Sequence, residues 1–291
     1  MIEVEALTFR YPRQKTDTIR GLSFQIEKGE IFGFLGPSGS GKSTTQKLLT
    51  GLLKNFSGNL RLLGKDASAW AHDFYNHIGV GFELPNHFTR LTGLENLKLF
   101  ASFYGDSGTS QPLTPMELLD LVGLTDSARQ PVSEYSKGMK MRLNFVRALI
   151  NNPDLLFLDE PTAGLDPLNA RNLKNIIKEL KNQGKTIFLT THNMYDADEL
   201  CDRVAFLVEG ELKLIGSPDE LKRQYGQKTI EVITPGTPED KQGVSHQFSL
   251  DNLGTDQAFL DLLNSGPIES IHSQEATLEE VFIQTTGISL L

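Results

Sequence analysis

The chain has 291 residues, enough for one large domain plus a small one or for two modest ones. Its 38 % hydrophobic content and frequent glycine suit a soluble α/β protein, and a net charge of −9 argues against a broad electrostatic attraction to nucleic acid or anionic lipid. The single cysteine, Cys201, has no partner for an internal disulfide, which fits a reducing, cytosolic compartment.

From the N-terminus, MIEVEALTFRYPRQ alternates as a strand does over 2–9 and lacks the apolar core of a signal peptide. No run approaches the roughly 18 apolar residues of a membrane span, and the six histidines show no metal-ligand spacing. A second strand is predicted at 30–36 and a helix at 42–52. From about 84 to 152 the apolar period is helical, with a Gly/Ser/Pro break at GDSGTSQP (105–112). Strands return at 154–159, 186–190 and 203–208, alternating with helices over 167–182 and 194–200. The runs DLLFLD and TIFLT are nearly all apolar, as expected of central parallel strands covered on both faces. This order predicts a layered α/β core with a mainly parallel sheet, antiparallel N-terminal strands and an inserted helical subdomain. The expected domains are 1–225 and a small α+β appendage over 226–291, where TPGTPEDKQG (234–243) is turn-rich and ATLEEVFIQTTG (276–287) reads as a short helix with Leu278, Val281 and Phe282 on one face.

GPSGSGKST (36–44) fits the phosphate-loop pattern G-x-x-x-x-G-K-[ST] and lies where that pattern needs to lie, between a strand and a helix. Gly36, Gly39 and Gly41 allow a loop through Pro37, Ser38 and Ser40 whose backbone N–H groups turn inward onto phosphate oxygens. Lys42 adds a point charge for the β- and γ-phosphates, and the hydroxyl of Ser43, ahead of Thr44, is placed to ligate Mg²⁺. LLFLDE (155–160) ends a buried strand in two acids. Asp159 is placed to hold Mg²⁺ if its strand neighbours that of the loop, and Glu160 to orient or deprotonate an attacking water. Asp166 before Pro167 reads as a helix cap on local grounds.

EYSKGMKMRL (134–143) opens another helix, with Met139, Leu143, Val146 and Ile150 recurring at helical spacing. Ser136 sits where a cap belongs. Gly138 falls in the first turn, where glycine costs about 1 kcal/mol relative to alanine, so a close approach to this helix end is expected.

Taken together, these motifs resemble the nucleotide-binding subunit of an ATP-binding cassette transporter over roughly residues 1–225. YSKGM (135–139) stands in place of the family's Leu-Ser-Gly-Gly-Gln signature, followed by the acid pair 159–160, GLD (164–166) and His192 in TTHNM. The resemblance implies a phosphate-loop NTPase fold, ATP and Mg²⁺ as ligands, and hydrolysis of ATP. It implies that Tyr11 stacks on adenine, that His192 contacts the γ-phosphate, and that Ser136 and Gly138 meet an ATP held by a second nucleotide-binding subunit. It also implies integral membrane subunits as partners, and hence a peripheral place on the cytoplasmic face of the cell membrane.

Three positions depart from the family pattern. Lys137 replaces a glycine, and either adds charge near the second phosphate or points to solvent. Met139 replaces the glutamine and suits the apolar stripe. Glu83 in GVGFELPNHF (79–88) stands where a glutamine usually links Mg²⁺ and water to the helical subdomain, and is expected to keep a metal-linked role. These variants and the terminal ATLEEVFIQTTG resemble the exporter branch with separate membrane chains. Of the apolar series Phe88, Leu91, Leu94, Leu97 and Phe100, the first two are expected to face the membrane partner. The alternatives are a cassette ATPase acting on nucleic acid or the ribosome, disfavoured by the acidic charge and by the lack of a long coiled-coil insertion, and a phosphate-loop kinase or GTPase, which leaves the signature segment unexplained.

Overall fold

The structure, a computed structural model, describes residues 1–70, 72–104, 113–226, 228–235, 243–274 and 276–288. The break at 105–112 and most of the 234–243 turn lie outside the described residues. The chain divides into two compact units, Met1–Ile215 and Gly216–Ser289.

The first unit contains, in chain order, β1 (Ile2–Phe9), β2 (Ile19–Ile26), β3 (Ile31–Leu35), α1 (Lys42–Leu49), β4 (Ser57–Leu62), β5 (Lys65–Asp66) and β6 (Ile78–Gly81). These are followed by α2 (Gly93–Ala101), α3 (Pro115–Leu121), α4 (Lys137–Arg147), β7 (Leu155–Asp159), α5 (Pro167–Asn182), β8 (Thr186–Thr191), α6 (Met194–Leu200), β9 (Arg203–Val208) and β10 (Glu211–Gly216). One sheet has the order β10-β9-β3-β8-β7-β6, with parallel pairing from β9 through to β6. Every residue of β3, β7 and β8 is buried, as parallel strands covered on both faces require.

The second sheet, β2-β1-β4-β5, is antiparallel. Its inward face carries Ile2, Val4, Leu7 and Phe9 of β1, all buried. That spacing breaks strict alternation, and a bulge restores it: the pairing register shifts between Val4 and Leu7, and Ala6 has φ 50°. The two sheets share one core. In it Phe24 of β2 lies 5.7 Å from Phe32 and 5.4 Å from Phe34 of β3, and Phe34 lies 5.4 Å from Phe188 of β8, ring centre to ring centre.

Between β6 and β7 the chain is helical only in part, which corrects the expectation of a helical period throughout 84–152. Residues 84–92 are irregular, and α2 begins only at Gly93. Thr92 and Glu95 form a capping box there. The buried Asn96 side chain accepts the N–H of Phe88 and donates to its carbonyl, so the irregular stretch has its own hydrogen bonds. Leu97 is buried, Leu91 is half-buried and Phe88 is 52 % exposed. In α4 Leu143 and Val146 are buried and Met139 half-buried, while Ile150 falls beyond the helix end at Arg147.

The second unit starts with α7 (Pro218–Tyr225), earlier than the boundary read at 226. It continues with β11 (Thr229–Thr234), β12 (Val244–Ser249), α8 (Gln257–Ser265), β13 (Ser270–Gln274) and α9 (Leu278–Thr286). The strands form an antiparallel sheet of order β12-β11-β13. Helix α9 packs against α7 and buries Leu278, Val281 and Phe282, the face its period predicts. Phe259 of α8 meets Phe248 of β12 edge-on at 5.3 Å. Among the described residues no helix is long and apolar enough to cross a membrane.

Candidate functional site

Strand β3 ends inside the parallel sheet, and the chain turns through Gly36–Gly41 into α1. Gly41 is the N-cap with φ 112° and supplies no side-chain acceptor, so the first N–H groups of α1 are left for an external anion. The Ser40 hydroxyl is buried and has no hydrogen-bond partner among the described atoms. Pro37, Ser38 and Gly39 form the more exposed rim, and Ser43 and Thr44 are half-buried. Lys42 Nζ donates to the carbonyls of Gly36 at 2.6 Å and Pro37 at 3.1 Å. Burial lowers the Lys42 pKa, and the nearby carboxylates of Glu160, Asp159 and Glu83 partly offset that shift. The lysine therefore lies within electrostatic reach of all three candidate acids. The Tyr11 hydroxyl is 3.2 Å from Thr44 Oγ1, and its ring packs edge-on to Phe9 at 4.9 Å, which puts an aromatic beside the loop.

The acid pair arrives by a different route from the one expected. Strand β7 is not the neighbour of β3, because β8 lies between them. The end of β8 instead becomes the scaffold for both acids. Thr190 Oγ1 donates to Asp159 Oδ1, and Thr191 Oγ1 donates to Glu160 Oε2 at 2.9 Å. Glu160 Oε1 also accepts the backbone N–H of His192 at 2.9 Å and lies 2.6 Å from His192 Nδ1. A carboxylate oxygen accepts in this contact, so Nδ1 carries the hydrogen, on a side chain that is 60 % exposed. Glu160 itself has φ 48°, a left-handed conformation that costs an ordinary side chain about 1–2 kcal/mol. Sequence reasoning missed Thr190 and Thr191; two hydroxyl residues closing an otherwise apolar strand were the available signal.

At the head of α4, Ser136 caps the helix by accepting the Met139 N–H at 3.2 Å, which leaves its own hydrogen free to donate. A Cβ at Gly138 would meet nothing closer than Leu165 Cδ2 at 3.5 Å, ordinary contact within its own chain. The packing of the chain itself therefore does not require glycine there. Lys137 does not simply point to solvent: its side chain lies across Gly164, where an added Cβ would fall 2.7 Å from Lys137 Cε.

Helix α4 holds the segment on both sides of Glu83. Asn144 Nδ2 donates to the Phe82 carbonyl at 2.6 Å, and Arg147 Nη1 to the Asn86 carbonyl at 2.7 Å. His87 Nε2 donates to the Lys140 carbonyl at 3.0 Å, while its Nδ1 is buried without a partner. Burial pushes the His87 pKa from 6.5 down to about 4. The folded chain therefore refuses a proton that the unfolded chain accepts, and stability falls as pH drops from about 6.5 towards 4. Between pH 7 and pH 5 urea unfolding is expected to show wild type losing about 2 kcal/mol more than His87→Gln. Equal losses in the two proteins would show that His87 does not titrate as its burial requires.

Beside this segment lies an open apolar groove of about 460 Å³, lined by Leu52, Tyr75, Phe88, Phe100, Phe103 and Arg147. Phe88 and Phe103 are 52 % and 64 % exposed. Leu91, expected to face the partner, is not part of the lining; its carbonyl accepts the Val132 N–H within the subdomain. Among the described residues no cluster of three or more His, Cys, Asp or Glu could hold a metal by itself. The donor set, Ser43 Oγ with Asp159 and Glu83, suits a Mg²⁺ that takes part of its coordination from nucleotide phosphates.

The family described as ABC transporter matches residues 19–163 of the chain, and that described as fluoroquinolone efflux ABC transporter C-terminal domain matches residues 239–275. A fluoroquinolones export ATP-binding protein of Mycobacterium tuberculosis is 52 % identical over 291 residues, 100 % of this chain and 94 % of its own length. The Nod factor export ATP-binding protein I of Burkholderia pseudomallei is 33 % identical over 304 residues and covers 100 % of both chains. Among solved structures, a dimeric ATP-binding cassette in a post-hydrolysis state, bound to ADP and Pi, superposes with TM-score 0.68 at 26 % identity. It covers 75 % of this chain and 98 % of that one.

Proposed function

The chain belongs to the ATP-binding proteins of ABC transporters, and on that premise we propose that it is the ATP-hydrolysing subunit of an exporter, driving transport through separate membrane subunits. The observation that carries the mechanism is the convergence of Lys42, Asp159, Glu160 and His192 where β3, β7 and β8 end. The loop N–H groups and Lys42 hold the β- and γ-phosphates, and Tyr11 lies against the base. Mg²⁺, when bound, neutralises charge that develops between these phosphates. Ser43 and Asp159 would hold it, with Glu83 contributing from the start of the 82–88 segment. Glu160 orients the attacking water and takes its proton, and the exposed side chain of His192 reaches the γ-phosphate.

A phosphate loop encloses one side of the triphosphate and leaves the other open. A second copy of the chain, or a homologous subunit, covers that side with the Ser136–Gly138 turn, supplying the Ser136 hydroxyl and helix N–H groups. The absence of a clash at Gly138 within its own chain and the dimeric relative both support this arrangement. ATP then closes the dimer, and hydrolysis opens it. The identity to a fluoroquinolone exporter subunit supports drug-type cargo, selected by the membrane chains. The proposed role is that of a peripheral subunit on the cytoplasmic face of the membrane, a reading supported by the likeness to export ATP-binding proteins.

The groove at Phe88 and Phe103 is the docking face for a short apolar segment of the membrane subunit. Burying the exposed parts of two phenylalanines is worth about 2–3 kcal/mol, so Phe88→Ser with Phe103→Ser is expected to weaken that association roughly a hundredfold. Co-purification with an integral membrane protein should be lost while ATP affinity stays at the wild-type value. Normal assembly of the double variant would move the docking face elsewhere, and capture of RNA in place of a membrane protein would overturn the exporter reading.

A further inference from the structure

Behind the acid pair lies a buried polar cluster that binds no nucleotide in the reading above. Lys174 of α5 and Asp196 of α6 form an ion pair at 3.1 Å, with both side chains only 9 % exposed. Lys174 also pairs with Glu199, and Lys178 meets Glu199 at 2.8 Å. Asp196 Oδ2 accepts two further hydrogen bonds, from Thr162 Oγ1 at 2.7 Å and from Asn193 Nδ2 at 3.2 Å. Asn193 is the N-cap of α6 and Asp196 its third residue, so their contact suits a helix cap; the Thr162 bond, from another segment, is needed by neither a cap nor an ion pair.

The two donors occupy particular places in the chain. Thr162 is two residues beyond Glu160, and Asn193 is one residue beyond His192. Asn193 is fixed on its other side as well. Its side-chain oxygen accepts the N–H groups of Tyr195 and Asp196 at 3.0 and 3.2 Å. Its own N–H donates to Thr191 Oγ1 at 3.0 Å, the hydroxyl that donates to Glu160. One carboxylate thus spans the two strand exits that carry the carboxylate–imidazole pair. Glu160 is also the residue held at φ 48°, a conformation the chain leaves unless its surroundings fix it.

We propose that Asp196 is a positioning residue for ATP hydrolysis, clamping Thr162 and Asn193 so that Glu160 and His192 stay in register with each other. It touches no substrate; Lys174 holds it in place, and its effect passes through the two chain segments it joins. The proposal rests on the assignment of Glu160 and His192 to the hydrolytic step.

Thr162→Val in the full chain removes the hydroxyl, keeps the volume and leaves the Lys174–Asp196 pair intact; Thr162→Ala gives a second variant with the same chemical loss. Displacement of a reacting group by an ångström or less can cost up to about a hundredfold, so kcat is expected to fall roughly ten- to a hundredfold in both while KM for ATP stays within about twofold. Thr162→Ser restores the hydroxyl and is expected to recover wild-type kcat. An unchanged kcat in folded Thr162→Val or Thr162→Ala overturns the clamp, as does a Thr162→Ser that is equally impaired. Glu160→Gln assayed alongside separates the two levels. If it is inactive and Thr162→Val is normal, only the clamp fails; if it turns over normally, the assignment beneath the clamp fails.

Discussion

Glu160→Gln is expected to lower steady-state ATP turnover by about 10²–10⁴, the usual contribution of a general base, while leaving ATP affinity intact. The substitution is nearly isosteric, and the amide oxygen can still accept from the Thr191 hydroxyl or from the His192 N–H, the bonds that now hold the carboxylate at 2.9 Å. Lys42 and the loop N–H groups, to which the proposed function gives the phosphates, are not altered. The variant therefore binds nucleotide but cannot take the proton from water. With hydrolysis blocked, the closed state has no exit, and gel filtration with ATP and Mg²⁺ should show a dimer that wild type forms only transiently. With its oxygen towards His192 and its nitrogen towards the Thr191 hydroxyl, which can accept as well as donate, the glutamine keeps the 2.6 Å contact to His192 Nδ1. Near-normal turnover by this variant would remove Glu160 from the hydrolytic step.

The parts legible in the sequence were those whose chemistry is local. The phosphate loop depends on three closely spaced glycines and a lysine, β3, β7 and β8 on apolar runs, and the heads of α4 and α5 on Ser136 and Asp166 as caps. What escaped depends on pairing. Strands β4 and β10 bury few residues: only Leu60 and Leu62 point inward in SGNLRL, and ELKLIG is half-buried or exposed, so neither shows a decisive period. Strand β6 is a four-residue IGVG held by β7, and glycine argues against a strand on local grounds. The apolar series from Phe88 to Phe100 mimicked a helix because Asn96, a long-range-looking polar residue, satisfies the irregular backbone at Phe88. In the site, Lys42, Asp159, Glu160 and His192 were picked out as candidates by their motifs, whereas the way the strands bring them together was not readable. That β8 separates β3 from β7 and supplies Thr190 and Thr191 to the acids is a fact of strand order, and strand order leaves no mark within any single segment.

The second large effect is expected at Gly36, where Gly36→Ala should abolish nucleotide binding by displacing the loop rather than by removing a ligand. An added Cβ would lie 2.1 Å from the backbone carbonyl oxygen of Leu207 and 2.9 Å from Ser40 Oγ. The Leu207 carbonyl belongs to β9, which pairs with β3 through Leu35 and Phe206, so it cannot yield without breaking the sheet. Gly36 also has φ 158°, at the limit of a region that L side chains rarely adopt. The chain relieves the clash most cheaply by moving the loop, and with it the Gly36 carbonyl that holds Lys42 Nζ at 2.6 Å. Overpacking and backbone strain together suggest a stability loss of about 3 kcal/mol or more. Gly39→Ala is the informative control, because a Cβ there meets nothing within 4 Å and only its φ of 81° opposes the change. That strain alone is about 1–2 kcal/mol. Titration with a fluorescent ATP analogue, paired with urea unfolding, should then separate the two: Gly36→Ala silent in binding, Gly39→Ala weakened but measurable. Equal binding by the two variants would mean that the β9 carbonyl does not set the position of the loop.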